Sequence, residues 1–218
     1  VFLKIDAIEI LEKMKNVKMM ITIALMYMII IPLIFFFLTR IFDYEMALGI
    51  LLLTAMPAGV STPALADILK GNISMTMSIV IVTQMMAPFT VPLLFWLVGT
   101  KGLDINKLMV FKDIAIMVFL PLILAQIVKR NFQPAISRSQ HFFTSVNVFL
   151  LFAFVYVAIS SQRDVILYNP VSLIWKTAIL YLVFIVLHAI GYFIFYREKT
   201  EDRISMAVTL AYMNNGLA

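Results

Sequence analysis

"TAMPAGVSTPALADILKGN", residues 54 to 72, places Pro57, Gly59 and Pro63 inside a stretch otherwise apolar enough to cross a membrane. A helix cannot run through it unbroken. Proline lacks the N–H that an interior helical residue donates, and its ring crowds the carbonyl four residues back. In hydrocarbon the backbone groups freed by such a break must find partners, so breaks persist where they are enclosed by protein or line a polar cavity. Ser61 and Thr62 put two hydroxyls at this one.

The rest of the chain sets that break in a membrane. Of its 218 residues, 63% are hydrophobic and 13% charged, and the mean hydropathy is +1.01, outside the range of soluble globular domains. Residues 19–39, 46–66, 71–100, 142–162 and 177–196 are free of charge, and each reaches the roughly 20 residues needed to cross about 30 Å of hydrocarbon. Residues 114–128 are shorter and hold Pro121, giving a short span or one that starts nearer Leu108. Residues 204–218 begin a further one. Almost no polar face recurs at helical period, as a soluble helical core would need. The expectation is an all-α polytopic membrane protein whose first partner is the lipid bilayer.

The chain opens on Val1 and closes inside an apolar stretch, so it reads as part of a longer protein with helices missing at both ends. No secretory leader pattern is visible in it. It contains no cysteine, which removes disulfides, thiolate metal sites and a cysteine nucleophile. An intramembrane hydrolase would need paired Asp residues, Ser with Lys or His, or His-Glu-x-x-His at membrane depth. None of these is present, and no enzyme activity is expected.

Lys4, Lys13, Lys15, Lys18, Lys70, Lys129, Arg130, Arg138, Arg197, Lys199 and Arg203 fall on one set of loops; Arg40, Lys101, Lys107, Lys112, Arg163 and Lys176 fall on the other. The positive-inside rule makes the richer set cytoplasmic. Topology therefore explains the net charge of +5 without a nucleic-acid partner. The expected location is the inner (plasma) membrane of a bacterium or archaeon, multi-pass, with the N-terminal loop cytoplasmic.

A repeat is visible in the spacing. From Met19 a charge-free span leads through a charged loop to a segment broken at Gly59; from Thr177 another leads through "REKTEDR" to "YMNNGLA" with Gly216. The two units start on opposite sides, the inverted topology typical of secondary transporters. The breaks, one at residues 57–63 and one near 214–216, then cross at mid-membrane. Freed carbonyls, helix ends and hydroxyls there can bind an ion or an anionic group. A Pro or Gly that merely kinks a membrane helix is the competing explanation for either break taken alone.

"MPAGVSTPALADILKGNISMTMSIVIVTQMMAPFTVPLL" resembles the fourth and fifth helices of the bile acid:sodium symporter (BASS) family. The matching pieces are Pro57, Gly59, Ser61, Thr62, Lys70, Gly71, Asn72, Pro88 and Pro92. "AYMNNGLA" resembles the end of that family's ninth helix. The similarity runs from the end of the second helix to the middle of the ninth. It implies two inverted five-helix repeats with two crossing discontinuous helices, divided into a core and a panel domain. Residues 1–18 would then be a helix end and cytoplasmic loop, 19–100 core helices of the first repeat, 108–162 panel-type helices, and 177–218 core helices of the second repeat. It also implies secondary transport of an organic anion by alternating access, driven by sodium. Gly59, Ser61, Thr62, Thr76, Thr83, Thr209, Asn214, Asn215 and Gly216 are the corresponding substrate- or ion-binding candidates.

The sodium ligands depart from that family's pattern. The position of its ninth-helix Glu falls on Thr209 and the amide before the Asn on Met213. The crossover Asn falls on Pro63, the third-helix Gln on Tyr27, and a fifth-helix hydroxyl on Val80. Thr62, Thr76 and Asn214 remain as oxygen ligands for Na⁺, with Thr209 in place of the carboxylate. A cation held by dipoles alone in low dielectric is costly, so conventional two-sodium symport is not expected, and the coupling ion stands open between Na⁺ and H⁺. No resident cofactor is expected. Asp67, one turn past Pro63, is a proton carrier if it lies at membrane depth; pairing with Lys70 at the interface is the favoured reading. His188, mid-span in "VLHAIGYF", is either a proton relay or a hydrogen-bonded packing residue. Thr76 and Thr83 share a helix face and either line the cavity or bond back to their own carbonyls. Trp96, Trp175 and Tyr168 fall near span ends as interfacial anchors. A sodium-independent permease resembling arsenite or auxin exporters, and a channel, are the alternative functions.

Overall fold

The computed structural model describes residues 17–99 and 106–213. Its elements are α1 (Val17–Leu25), a π-helical turn (Met26–Ile30), α2 (Ile31–Thr39), α3 (Tyr44–Ala55), α4 (Thr62–Ile68), α5 (Ile73–Val98), α6 (Lys107–Ser161), α7 (Arg163–Tyr168), α8 (Pro170–Phe193) and α9 (Thr200–Ala211). Among the described residues, four stretches are long and apolar enough to cross a membrane: Met20–Thr39, Ile73–Val98, Leu108–Phe132 and Leu173–Phe193. The protein is an all-α membrane protein.

Local chemistry explains where the helices begin and change. Pro32 has no N–H to offer the carbonyl of Met28; the helix widens just before it, and Ile31 N–H reaches back to Met26 O, five residues away. The Asp43 carboxylate caps α3 by accepting from Met46 N–H at 3.0 Å, and the Asn72 side chain caps α5 from Met75 N–H at 3.1 Å. Between α4 and α5, Lys70 adopts φ 59. Gly71 N–H bonds Ala66 O and Lys70 N–H bonds Asp67 O, the paired closure of a Schellman turn.

α5 is the hub. Of its most apolar window, 61% is buried, against 11% for α8. It packs against the first span, α3, α4, α6 and α9. Phe36, Ile23, Ile50, Leu51, Ile79, Leu94 and Met206 fill the interior around it. α5 also fixes which ends lie together: the Tyr44 hydroxyl at the start of α3 donates to Gly99 O beyond its C-terminus, at 2.7 Å. Asn72 at the other end accepts from Ser205 of α9, at 3.0 Å. α3 and α9 therefore enter from opposite ends of α5. Each is 12 residues long, a rise of about 18 Å.

The stretch Lys107–Ser161 is two helices that meet at a kink, with Phe132 in a non-helical conformation (φ −127, ψ 27). The bend sits just before Pro134, which cannot donate to the carbonyl of Arg130 and crowds it. Trp96, Trp175 and Tyr168 are exposed, as residues at a membrane interface are.

α8 and α9 approach so closely that a methyl at Gly191 would lie 2.6 Å from Ala207 Cα and 2.8 Å from Met206 O. Both are backbone atoms that cannot swing aside. Gly191→Ala is expected to lower stability by about 1–3 kcal/mol, read as a reduced thermal midpoint of the detergent-solubilised protein; an unchanged midpoint would show that the two helices are not held at this distance.

Candidate functional site at the crossing of two broken helices

The first break begins where proline requires it. Met56 precedes Pro57 and is extended (φ −70, ψ 147), since the residue before proline is kept out of the helical region. α3 ends at Ala55 and α4 starts at Thr62. Between them the backbone groups of Ala58 and Gly59 are all engaged. Ala58 N–H donates to Thr83 Oγ1 at 3.1 Å, and Gln84 Nε2 donates to Ala58 O at 3.4 Å. Gly59 N–H donates to Tyr212 O at 2.7 Å. Gly59 O accepts from Thr62 N–H at 3.0 Å and from Thr62 Oγ1 at 2.6 Å.

The end of α9 meets this break there. α9 stops at Ala211, Tyr212 is non-helical (φ −97, ψ 86), and Met213 forms an isolated antiparallel bridge with Ala58. Gly59 is required by this approach: a Cβ would stand 2.9 Å from Tyr212 O. The Tyr212 ring is fixed edge-on by Phe184 and His188, with centroids 5.1 and 5.3 Å away. His188 Nδ1 lies 2.9 Å from Phe184 O; a carbonyl only accepts, so that nitrogen carries the proton.

Of the residues expected to form the site, Gly59, Thr62 and Thr83 are brought to the crossing. Ser61 adjoins it but is exposed. Thr76 lies at the start of α5, where its hydroxyl donates to Asn72 O at 2.9 Å. Thr209 is buried on α9 and donates to Ser205 O at 2.8 Å. Thr83 bonds back to its own helix at Ile79 O, 2.8 Å away, and accepts from Ala58 N–H. Asn214, Asn215 and Gly216 lie outside the described residues. Asp67 and Lys70 are both exposed, but the expected ion pair between them is not formed: Lys70 has left the helical conformation (φ 59), so helical i,i+3 geometry no longer applies. His188 is bonded within its own helix and packed against two rings. Among the described residues no group of three or more His, Cys, Asp or Glu could hold a metal ion.

The sequence profile of the SBF-like CPA transporter family matches residues 3–213. The chain belongs to the SBF-like CPA transporter family. A similar protein is the sodium-dependent transporter YocS of Bacillus subtilis (strain 168), 24% identical over 179 residues, covering 79% of this chain and 54% of that protein. The chain thus spans about half the length of the relative it matches.

Two features of this transporter-family chain escaped the sequence reading. Tyr27, buried in the π-helical turn, sends its hydroxyl to Met206 O at 2.9 Å, the same oxygen that accepts from Thr209 Oγ1 at 3.2 Å. Gln84 was hidden because nothing in an apolar helix reveals that its one long amide meets a break 26 residues earlier in the chain. A cavity of about 440 Å³ lies on the far side of the crossing, walled by Leu53, Leu180, Phe184, Leu187, Tyr212 and Met213 among others. None of the expected site residues among those described lines it. The chemistry of the crossing is thus a hydrogen-bonded backbone junction with buried hydroxyls beside it.

Asn72 ties the two halves together at one end of α5. Its N–H donates to Glu201 O at 3.1 Å, its Nδ2 to Asp202 Oδ1 at 2.8 Å, and its Oδ1 caps α5. Asn72→Asp keeps the cap but sets a carboxylate against Asp202, an expected loss of about 1–2 kcal/mol. Adding Asp202→Asn reverses donor and acceptor and is expected to restore most of it. Thermal midpoints of both single variants and the double variant check this; additive losses would rule out the contact.

Proposed function

We propose that this chain is the core of a secondary transporter that moves a small organic anion across the membrane by alternating access. The observation that carries the reading is the junction of the interrupted segment after Pro57 with the end of α9, Gly59 N–H to Tyr212 O at 2.7 Å with the Ala58–Met213 bridge beside it. Half-helices of equal length entering from opposite ends of α5 support an inverted repeat. Two rises of about 18 Å match a hydrocarbon core of about 30 Å, and this supports a crossing near the midplane. Discontinuous helices meeting there are the usual way such carriers build a solute site. Ser61, Thr62, Thr76, Thr83 and Thr209 would supply hydroxyls toward it, with Asn214, Asn215 and Gly216 from the continuation of the second break.

Coupling does not use two sodium ions in this reading. The relative from Bacillus subtilis is named as sodium-dependent, so sodium remains one of the two ions to test, with H⁺ the other. Against a conventional pair of sites stands Tyr27: its phenol bonds Met206 O on α9, the oxygen that Thr209 also bonds, where the resemblance would place a Gln and a Glu as ligands. An aromatic ring and a hydroxyl there replace the charge that would offset a buried cation. The same contact favours, as the second reading, a sodium-independent exporter.

The test is uptake of a panel of carboxylates and organic sulfates by proteoliposomes of the full-length protein, with Na⁺ and pH gradients imposed separately. Saturable counterflow of at least one anion is expected, without a second-order dependence on Na⁺. A rate rising with the square of Na⁺ concentration would overturn the coupling argument. Non-saturating currents would replace the carrier with a channel, and accumulation only in inverted vesicles would make it an exporter. A pH dependence that disappears in Asp67→Asn would assign proton carriage to Asp67.

A further inference from the structure

α5 touches the broken helices at three levels. Near its start Asn72 holds Glu201, Asp202 and Ser205. Beyond its end Gly99 accepts from Tyr44. Between these, at the crossing itself, neighbouring residues Thr83 and Gln84 take both polar groups of Ala58, its N–H at 3.1 Å and its C=O at 3.4 Å. Both side chains are buried. The Ala58–Met213 bridge is isolated, and a single bridge has no neighbouring rungs to set which residue pairs with which. Register must come from elsewhere.

We infer that Thr83 and Gln84 are positioning residues, which fix the depth and register at which the two broken helices cross. Successive residues on a helix point about 100° apart, so the two side chains hold the Ala58 residue from different directions. With Ala58 fixed, Gly59 N–H is aimed at Tyr212 O. With either bond lost, a buried backbone group of Ala58 is left without a partner, a costly state in a water-free interior. The adjacent bridge can then relieve that state by slipping along the chain. α5 so acts as a ruler, with its mark eleven residues from Asn72 (83 minus 72), about 17 Å at helical rise. The inference concerns the crossing and holds or fails independently of the transported solute and the coupling ion.

The absence of cysteine from these residues makes the test direct. In the full-length protein in membranes, Ala58→Cys and Met213→Cys are combined, and their disulfide is formed with copper phenanthroline and measured by mass spectrometry of linked peptides. Cα atoms paired across an antiparallel bridge lie within disulfide reach. Thr83→Val, which keeps the shape but not the oxygen, and Gln84→Met are each expected to cut the yield severalfold. Thr83→Ser, which keeps the oxygen but loses the methyl, is expected to preserve it. Without introduced cysteines, amide hydrogen exchange of peptides covering Ala58 is expected to accelerate on the order of tenfold in Thr83→Val and little in Thr83→Ser. Cross-linking and exchange unchanged in Thr83→Val would overturn the inference. So would a Thr83→Ser variant that falls as far as Thr83→Val, since packing would then be the whole effect. Where Gln84→Met does not fold, the Val and Ser pair decides alone.

Discussion

In a medium without water, the amide groups of Ala58 and Gly59 have to be paired by protein, and the rest of the molecule is arranged around that requirement. Pro57 opens the helix and leaves the chain extended. Three separate elements then supply partners: α5 through Thr83 and Gln84, α4 through Thr62, and the second break through Tyr212. A membrane protein tolerates an irregular backbone at depth only under such conditions. The break is therefore built as a junction, in which the main-chain groups of Ala58 and Gly59 are all taken up by protein partners.

That junction explains the spacing of the other features. Gly59 is needed because a Cβ would meet the carbonyl it bonds beside. His188 and Phe184 brace Tyr212 from α8, so the histidine packs against the crossing. At the end of α5, Asn72 uses its N–H, amide and carbonyl on α9 and on its own helix cap at once. A single residue therefore joins α5 to α9.

Much of this was legible before any coordinates. Charge-free runs, the Pro57–Gly59–Pro63 cluster and the sided distribution of Lys and Arg are local properties of the sequence, and local properties survive folding. The grouping of loops was readable too: Lys70 and Arg203 were assigned to one face, and Asn72 does bond Asp202 beside them. What was not legible depends on contacts across many residues. Nothing in "VTQMM" says that Gln84 faces Ala58, and nothing around Tyr27 says that its hydroxyl reaches Met206, 179 positions away. Asp67 and Lys70 misled for a related reason, since spacing suggested a helical pair while the Schellman closure had already ended the helix between them.

The widened turn at Met26–Ile30 has a consequence for how this chain tolerates change. A π-type turn holds one residue more than an α-turn, and each residue rotates a helix by about 100°. The span therefore behaves as two segments whose relative rotation is set by a single extra position, with Tyr27 seated inside it. Losing one residue there would swing everything before it around the axis and carry the phenol off Met206. The inward placement of that ring is thus a matter of chain length as much as of residue type, and an insertion or deletion in this turn would alter the face of α9 more than most substitutions on α9 itself.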